Sequence, residues 1–115
     1  MKALITGGTG FIGSHLVKHL VSEGISVRVL TRSRSSMDYL EGLAYERAEG
    51  DLTNFESLKK AVEGVDYVFH VAGIIAAKSK DDFFKKNKEG TLLLAQAVAE
   101  VNPGLKRFVY VSSLA

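Results

Sequence analysis

Three glycines at intervals of three residues lie close to the start of this chain and constrain its fold more than any other feature. Gly7, Gly10 and Gly13 fall within residues 6–13, which read TGGTGFIG. Residues 3–5 (ALI) form a short apolar run of the kind found in buried parallel strands. Apolar side chains then recur at helical spacing, at Ile12, Leu16, Val17, Leu20 and Val21. The chain is therefore predicted to begin with a strand, a glycine turn and an amphipathic helix.

Each glycine has a separate task in such a turn. Gly7 lets the backbone leave the strand in a conformation that a Cβ atom would penalise. Gly10 lets the main chain approach a ligand closely, and Gly13 lets the helix lie close to the strand. A phosphate loop of the nucleoside triphosphatase type is excluded, because no Lys-Ser/Thr pair follows the last glycine.

The pattern favours binding of a dinucleotide pyrophosphate. The first N–H groups of the helix and its partial positive charge would face the phosphates. Three glycines can also serve structure alone, but the strand before them, the helix after them and the second strand beyond favour the binding role. The candidate cofactor-binding residues of the turn are Gly7, Thr9, Gly10, Phe11, Ile12 and Gly13.

Strand-like and helical segments alternate along the rest of the chain. Further strands are predicted at residues 26–31, 43–48, 66–71 and 107–111. Further helices are predicted weakly at 37–40, at 55–62, and from Asp81 or Asp82 to the residue before Asn102. Gly24 is predicted to end the first helix in a left-handed conformation, and Thr53 or Asn54 to cap the helix at 55–62.

This alternation predicts parallel strand pairing through right-handed crossovers, with helices on both faces. The fold class is α/β, a Rossmann-type doubly wound parallel sheet of about five strands. No internal linker divides the sequence, so one domain over residues 1–115 is expected.

Composition narrows the classes of function. The chain has 115 residues, a formal net charge of +2 with interspersed charges, and no cysteine. These values favour neither nucleic acid nor a membrane as a partner, and they exclude a thiolate site. His15, His19 and His70 lack a credible third ligand, so no metal is expected. A cytoplasmic protein is expected, since no apolar stretch approaches the roughly 18 residues of a membrane span.

Residues 6–16 (TGGTGFIGSHL) resemble the N-terminal signature of the extended short-chain dehydrogenase/reductase family. That family includes sugar-nucleotide epimerases and dehydratases, dihydroflavonol-type reductases and hydroxysteroid dehydrogenases. The resemblance extends over the whole chain, because four later motifs follow in order: GDL at 50–52, FHVAG at 69–73, NKEGT at 87–91 and FVYVSS at 108–113.

The resemblance implies roles for residues in these motifs. Asp51 would lie near the exocyclic amine of adenine, and the fourth strand would exit past the cofactor ribose. The cofactor-binding residues so implied are Asp51, Leu52, Ala72, Gly73 and Asn87, and Ser113 is the implied catalytic serine.

Several of these residues have plainer alternatives. Asp51 could simply cap the following helix, and Asn87 could be an ordinary polar residue of its helix. His70, alone on an apolar strand, is interpreted as a hydrogen-bonded core histidine and is left out of the site. His15 and His19 are expected to be exposed.

The end of the second strand indicates which nicotinamide cofactor is bound. An NAD enzyme places Asp or Glu there to accept hydrogen bonds from the ribose hydroxyls. Residues 29–34 read VLTRSR and contain no acid. Arg32 can bind a 2′-phosphate and stack on adenine, and Ser33 and Arg34 could assist. NADP is therefore favoured, with NAD as the alternative, which would leave Arg32 only stacked on adenine.

The resemblance also implies a catalytic tyrosine with a lysine four residues later, on a helix after the fifth strand. None of the four tyrosines has such a lysine. The chain is therefore expected to be the N-terminal, inactive part of a longer NADP-dependent reductase, or of an epimerase or dehydratase, with an unknown small-molecule substrate. A non-catalytic dinucleotide sensor or scaffold is the alternative function. The helix that ends before Asn102 is apolar on more than one face, which predicts a homo-oligomer.

Overall fold

The structure, a computed structural model, describes residues 1–32, 38–71 and 80–111. Its strands are β1 (Lys2–Thr6), β2 (Ser26–Thr31), β3 (Glu46–Glu49), β4 (Tyr67–Val71) and β5 (Arg107–Val111). Its α-helices are α1 (Phe11–Ser22), α2 (Phe55–Val62) and α3 (Lys80–Val101), and a 3₁₀ helix spans Asp38–Leu40. The elements follow one another in the predicted alternation.

The five strands form one parallel sheet in the order β3-β2-β1-β4-β5. The chain starts in the middle, builds outward to β3, then returns to the other side of β1 to add β4 and β5. The order therefore reverses between β1 and β4, which confirms the predicted Rossmann-type doubly wound fold. In such a fold, ligands bind above the carboxyl ends of the strands at this reversal.

Two apolar clusters hold the helices on opposite faces of the sheet. Alternate residues of β1 separate them, because successive side chains of a strand point to opposite faces. Ala3 and Ile5 pack with α1 and Leu40, while Leu4 packs with α2 and α3. On the second face, Asn102 donates its side-chain N–H groups to the carbonyls of Val62 and Val65, at 2.9 and 2.8 Å, and so joins the end of α3 to the end of α2.

The helix signals in the sequence are largely confirmed. α2 has the predicted bounds and is capped by Asn54, whose Oδ1 accepts the N–H of Ser57 at 3.1 Å. Gly24 follows α1 with a φ of +78°, as expected of a left-handed C-cap. α3 begins at Lys80, one residue before the first predicted start, and ends at Val101 as predicted.

Two predictions about the segment between β2 and α2 need correction. The strand predicted at 43–48 instead begins three residues later and ends one residue later, at Glu46–Glu49. Leu43 instead donates its N–H to the carbonyl of Leu40 in a turn, and the side chains of Leu43 and Tyr45 pack against the α1 cluster. These apolar side chains therefore reflect loop packing rather than strand pairing. The weak helix predicted at 37–40 is a single 3₁₀ turn at Asp38–Leu40, with Met37 outside the described residues.

Candidate functional site

The glycine turn is confined between the end of β4 and the start of α1. Gly7 has a φ of +72°, so the backbone leaves β1 in the left-handed conformation expected from the sequence. A Cβ atom on Gly7 would also lie 2.5 Å from the carbonyl oxygen of Val71. The position excludes a side chain through both backbone conformation and space.

Gly13 and Gly10 differ in what surrounds them. A Cβ atom on Gly13 would lie 2.0 Å from the carbonyl oxygen of Gly7 and 2.8 Å from the Cα of Gly8. The close contact predicted for Gly13 is therefore made with the turn itself. A Cβ atom on Gly10 would meet only the Gly7 oxygen, at 3.6 Å, which is ordinary contact. Gly10 is thus not required by packing within the described protein.

The N-terminus of α1 lacks the usual caps. Gly10 occupies the N-cap position without a side-chain hydrogen bond, and the first turn holds no acidic residue. Ser14 is the first residue of α1 whose N–H has an acceptor in the described part of the chain, the carbonyl of Gly10 at 2.8 Å. The N–H groups of Phe11, Ile12 and Gly13 have no acceptor among the described residues, so this helix end offers three donors and a partial positive charge at the carboxyl edge of the sheet.

The side chains of the turn lie to the solvent side. Phe11 and Ile12 are 63% and 54% exposed, and Thr9 is half-buried. The Phe11 ring meets the rings of His15 and Tyr39 edge to face, with centroids 4.7 and 6.1 Å away. Since these side chains point away from the core, the turn contributes its backbone to the crevice.

Asp51 and Leu52 follow β3 at the same edge of the sheet. Gly50 donates its N–H to the carbonyl of Thr31 at 2.8 Å, which keeps the segment beside β2. Asp51 Oδ1 accepts the N–H and the hydroxyl of Thr53, both at 2.8 Å. The alternative in which Asp51 caps α2 is therefore wrong, because Asn54 is the cap.

The NKEGT motif brings α3 against two parts of this edge. A Cβ atom on Gly90 would lie 3.2 Å from the Cβ of Leu52, so the glycine lets α3 approach the segment after β3. Asn87, one turn earlier, is buried with 8% exposure. Asn87 is thus placed inside the edge rather than on an outer helix surface.

A buried polar layer underlies the crevice on the α3 side. His70 Nδ1 is 2.5 Å from Thr6 Oγ1, and His70 Nε2 is 2.9 Å from Thr91 Oγ1. The Thr91 hydroxyl donates to the carbonyl of Asn87 at 2.8 Å. His70 is 1% exposed, so its interpretation as a hydrogen-bonded core histidine is confirmed. The sequence did not identify its two partners, although Thr91 belongs to the NKEGT motif.

Two arginines come together at the end of β2. Arg32 is exposed directly after the strand. Arg47 of β3 donates from Nε to Thr31 Oγ1 at 2.8 Å and from Nη2 to the carbonyl of Arg32 at 3.3 Å. Arg47 was not singled out from the sequence, because its place beside Arg32 depends on the pairing of β3 with β2.

Some predicted residues lie outside the described part of the chain. These are Ala72, Gly73 and Ser113, together with Ser33 and Arg34. His15 and His19 are exposed, as expected. Residues 1–32, 38–71 and 80–111 contain no group of three potential ligands that could hold a metal ion. Across those same ranges, none of the helices combines the length and apolar character needed to cross a membrane.

The buried imidazole predicts a loss of stability at acidic pH. Burial lowers the pKa of His70 from 6.5 to about 4. Between these pH values the unfolded chain binds more protons than the folded chain. The contribution of neutral His70 to the free energy of unfolding is therefore complete above the unfolded pKa, and it is lost as the pH falls towards the folded pKa. The shift corresponds to about 3 kcal/mol of unfolding free energy. Urea unfolding between pH 7.5 and 4.5 measures it.

The matched controls for that pH series are two single variants. His70→Asn should remove this part of the pH dependence, whereas His15→Asn, at an exposed histidine, should retain it. Equal pH slopes for the wild type and His70→Asn would contradict the assignment.

Comparison with known proteins shows the family to which this arrangement belongs. Residues 3–115 match the model of the NAD dependent epimerase/dehydratase family. Sterol demethylase protein B of Methylococcus capsulatus is 38% identical over 115 residues, which cover 98% of this chain and 34% of that protein. Ceramide reductase of Caulobacter vibrioides is 37% identical over 111 residues, covering 96% of this chain and 34% of that protein.

A solved structure gives the same result. A short-chain dehydrogenase/reductase superfamily protein from Agrobacterium tumefaciens, crystallised with bound NAD, superposes with a TM-score of 0.77 at 30% identity, covering 98% of this chain and 33% of that one. The chain spans about a third of the length of the curated relatives it matches. The motifs, the fold and the match of the family model over residues 3–115 together show that the chain belongs to the NAD-dependent epimerase/dehydratase family.

Proposed function

We propose that the chain is the dinucleotide-binding part of an NADP-dependent oxidoreductase that interconverts a carbonyl compound and an alcohol. The observation that carries the proposal is the first turn of α1, where three backbone N–H groups have no acceptor among the described residues. They lie at the carboxyl edge where the strand order reverses, which is where doubly wound folds bind dinucleotides. The pyrophosphate would accept these N–H groups, with Gly10 leaving room for it.

The adenine end of the cofactor would lie towards β2 and β3. Thr53 holds Asp51 Oδ1 in place, while Asp51 Oδ2 takes part in neither of those bonds. Oδ2 could then accept a hydrogen bond from the exocyclic amine of adenine. Leu52 and the exposed Arg32 would contact the faces of the base from the two neighbouring strand ends.

The charge at the end of β2 supports NADP over NAD. Residues 29–34 contain no carboxylate that would repel a 2′-phosphate. Arg32 would form charge-assisted hydrogen bonds with that phosphate. Arg47, bonded to the Arg32 carbonyl at 3.3 Å, adds a second positive charge beside it. The similarity to a ceramide reductase supports reduction, whereas the bound NAD of the Agrobacterium protein keeps NAD as the alternative.

The remaining parts of the proposal depend on the sequence. Ala72 and Gly73 would lie where the chain leaves β4 past the cofactor ribose, and Asn87 would contact the cofactor from α3. Ser113 follows β5, which ends at Val111, and is the proposed catalytic serine. The cytoplasm is the proposed location.

Self-association is the proposed role of the outer face of α3. Leu92 is 52% exposed, and Ala95 and Ala99 on the same side of the helix are exposed as well, whereas Leu94 and Ala97 are fully buried against the sheet. Sedimentation velocity should therefore show a dimer or larger species at high concentration, since exposed apolar surface favours association. A monodisperse monomer would contradict this part of the proposal. A variant of Leu94 cannot serve as a control, because the loss of this buried side chain would disturb the core.

Gly10 and Gly13 provide a matched test of pyrophosphate binding. Gly10→Ala fits the apo packing, so its unfolding free energy should change by less than about 1 kcal/mol, the scale of an N-cap substitution. Its NADPH affinity should fall at least about ten-fold, because the methyl group would stand between the main chain and the phosphates. Gly13→Ala should instead destabilise the fold itself. Calorimetric titration with NADPH and urea unfolding measure both effects, and unchanged affinity in Gly10→Ala would contradict the proposal.

Arg32 tests the choice of cofactor. Arg32→Ser should weaken NADPH binding by about 10- to 100-fold, the size of a charged hydrogen bond or two, and NADH binding far less. Arg32→Lys keeps the charge and should fall between the wild type and Arg32→Ser. Tighter binding of NADH than NADPH by the wild type would contradict the NADP assignment. An equal loss of affinity for NADPH and NADH in Arg32→Ser would instead assign Arg32 to adenine stacking.

A further inference from the structure

We propose that His70 is a positioning residue: as a neutral imidazole protonated on Nε2, it joins the Asn87 turn of α3 to β1, the strand that leads into the glycine turn, through a hydrogen-bond chain of fixed direction. The proposal concerns residues already on the crevice edge, and its effect on cofactor binding rests on the proposed function above. His70 itself would touch neither cofactor nor substrate. It acts through Thr6 on one side and Thr91 on the other.

The direction of the chain is set at Thr91. A carbonyl oxygen can only accept, so the Thr91 hydroxyl must donate its one hydrogen to the carbonyl of Asn87, at 2.8 Å. Thr91 Oγ1 has therefore only acceptor capacity left for His70 Nε2, at 2.9 Å. Nε2 must carry a hydrogen and donate it.

The other half of the chain follows from the state of the ring. His70 is 1% exposed, and both hydroxyl partners are uncharged. A neutral ring protonated on Nε2 has a bare Nδ1, which accepts the hydroxyl hydrogen of Thr6 across the 2.5 Å contact. One directed chain then runs from Thr6 through His70 and Thr91 to the carbonyl of Asn87.

The surroundings of the ring favour this single arrangement. The rings of Phe108 and Tyr110 on β5 lie edge-on to the imidazole, with centroids 6.4 and 5.3 Å away. The layer below is apolar, with Leu4, Val68 and Leu94 fully buried. A cationic ring would have to donate from Nδ1 as well, and Thr6 would then have to turn its own hydrogen away from the short contact.

Both ends of the chain are fixed to the crevice. Thr6 is the last residue of β1 and directly precedes Gly7, against which the carbonyl of Val71 packs. Asn87 begins the segment in which Gly90 packs on Leu52. The hydrogen-bond chain therefore fixes the position of α3 relative to β1, the strand that carries the glycine turn. Breaking it should shift Asn87 relative to that turn while leaving the apolar core below intact.

Thr91 offers the matched pair of variants that tests the chain. Thr91→Ser keeps the hydroxyl and should retain the Asn87 amide resonances and NADPH affinity within about two-fold. Thr91→Val is close in shape but lacks the hydroxyl, so it should shift the Asn87 resonances and weaken NADPH binding about three- to ten-fold, the contribution of one hydrogen bond. Affinities are compared where both variants are fully folded. Equal behaviour of the two variants would overturn the proposal.

The imidazole nitrogen spectrum gives a readout that a merely structural role would not move. In ¹⁵N-labelled protein without cofactor, His70 should show a protonated Nε2 and a bare Nδ1, unchanged between pH 8 and pH 5.5, while the exposed His15 and His19 serve as references. A proton on Nδ1, or a cationic ring at neutral pH, would overturn the proposal. Failure of the wild type to bind either dinucleotide would refute the proposed function. The nitrogen spectrum and the Asn87 resonances would still show whether the hydrogen-bond chain exists.

Discussion

The backbone of Gly7 is in close contact with the end of β4 and with the start of α1, and the arrangement of the site depends on these two contacts. A side chain on Gly7 would meet the carbonyl of Val71, and a side chain on Gly13 would meet the carbonyl of Gly7. Because neither residue has one, β4 and α1 both come into contact with the turn. α1 consequently begins at the carboxyl edge of the sheet, with the N–H groups of its first turn exposed at the point where the strand order reverses.

A contrast between two helices shows that the open end of α1 is not a general feature of this fold. α2 begins with Asn54 as a side-chain cap and carries Glu56 in its first turn, so its terminal dipole is already compensated within the chain. α1 has neither a capping side chain nor an acidic residue. The same sequence therefore satisfies one helix end locally and leaves the other available for an anion. This difference is the physical basis for placing the pyrophosphate at α1.

The sequence predicted those features that depend on local chemistry. The bounds of α2 follow from Asn54 and its apolar spacing, and the turn follows from three glycines between a strand and a helix. Leu43 and Tyr45 were wrongly predicted to lie in the third strand, because their side chains pack from a loop onto the α1 cluster. Such packing depends on the finished sheet and cannot be distinguished from strand pairing in the sequence.

The features that escaped prediction are contacts between distant residues. Thr6 and His70 are 64 residues apart and face each other only through the register of β1 with β4. Arg47 reaches Arg32 only through the pairing of β3 with β2. Register was not deduced from the sequence, so His70 could be recognised as buried but not as part of a directed chain. The site thus combines a locally encoded turn with a polar layer that only the assembled sheet creates.

The central claim is that the first turn of α1 holds the pyrophosphate of the cofactor, and an amide NMR titration with NADP⁺ tests it most directly. The account predicts saturable shifts of the backbone amides of Phe11, Ile12 and Gly13, together with Arg32 and residues 51–52. The amides at the opposite ends of the strands, such as Ser26 and Tyr67, should not respond. Saturable binding that leaves the amides of residues 11–13 unchanged would contradict the account.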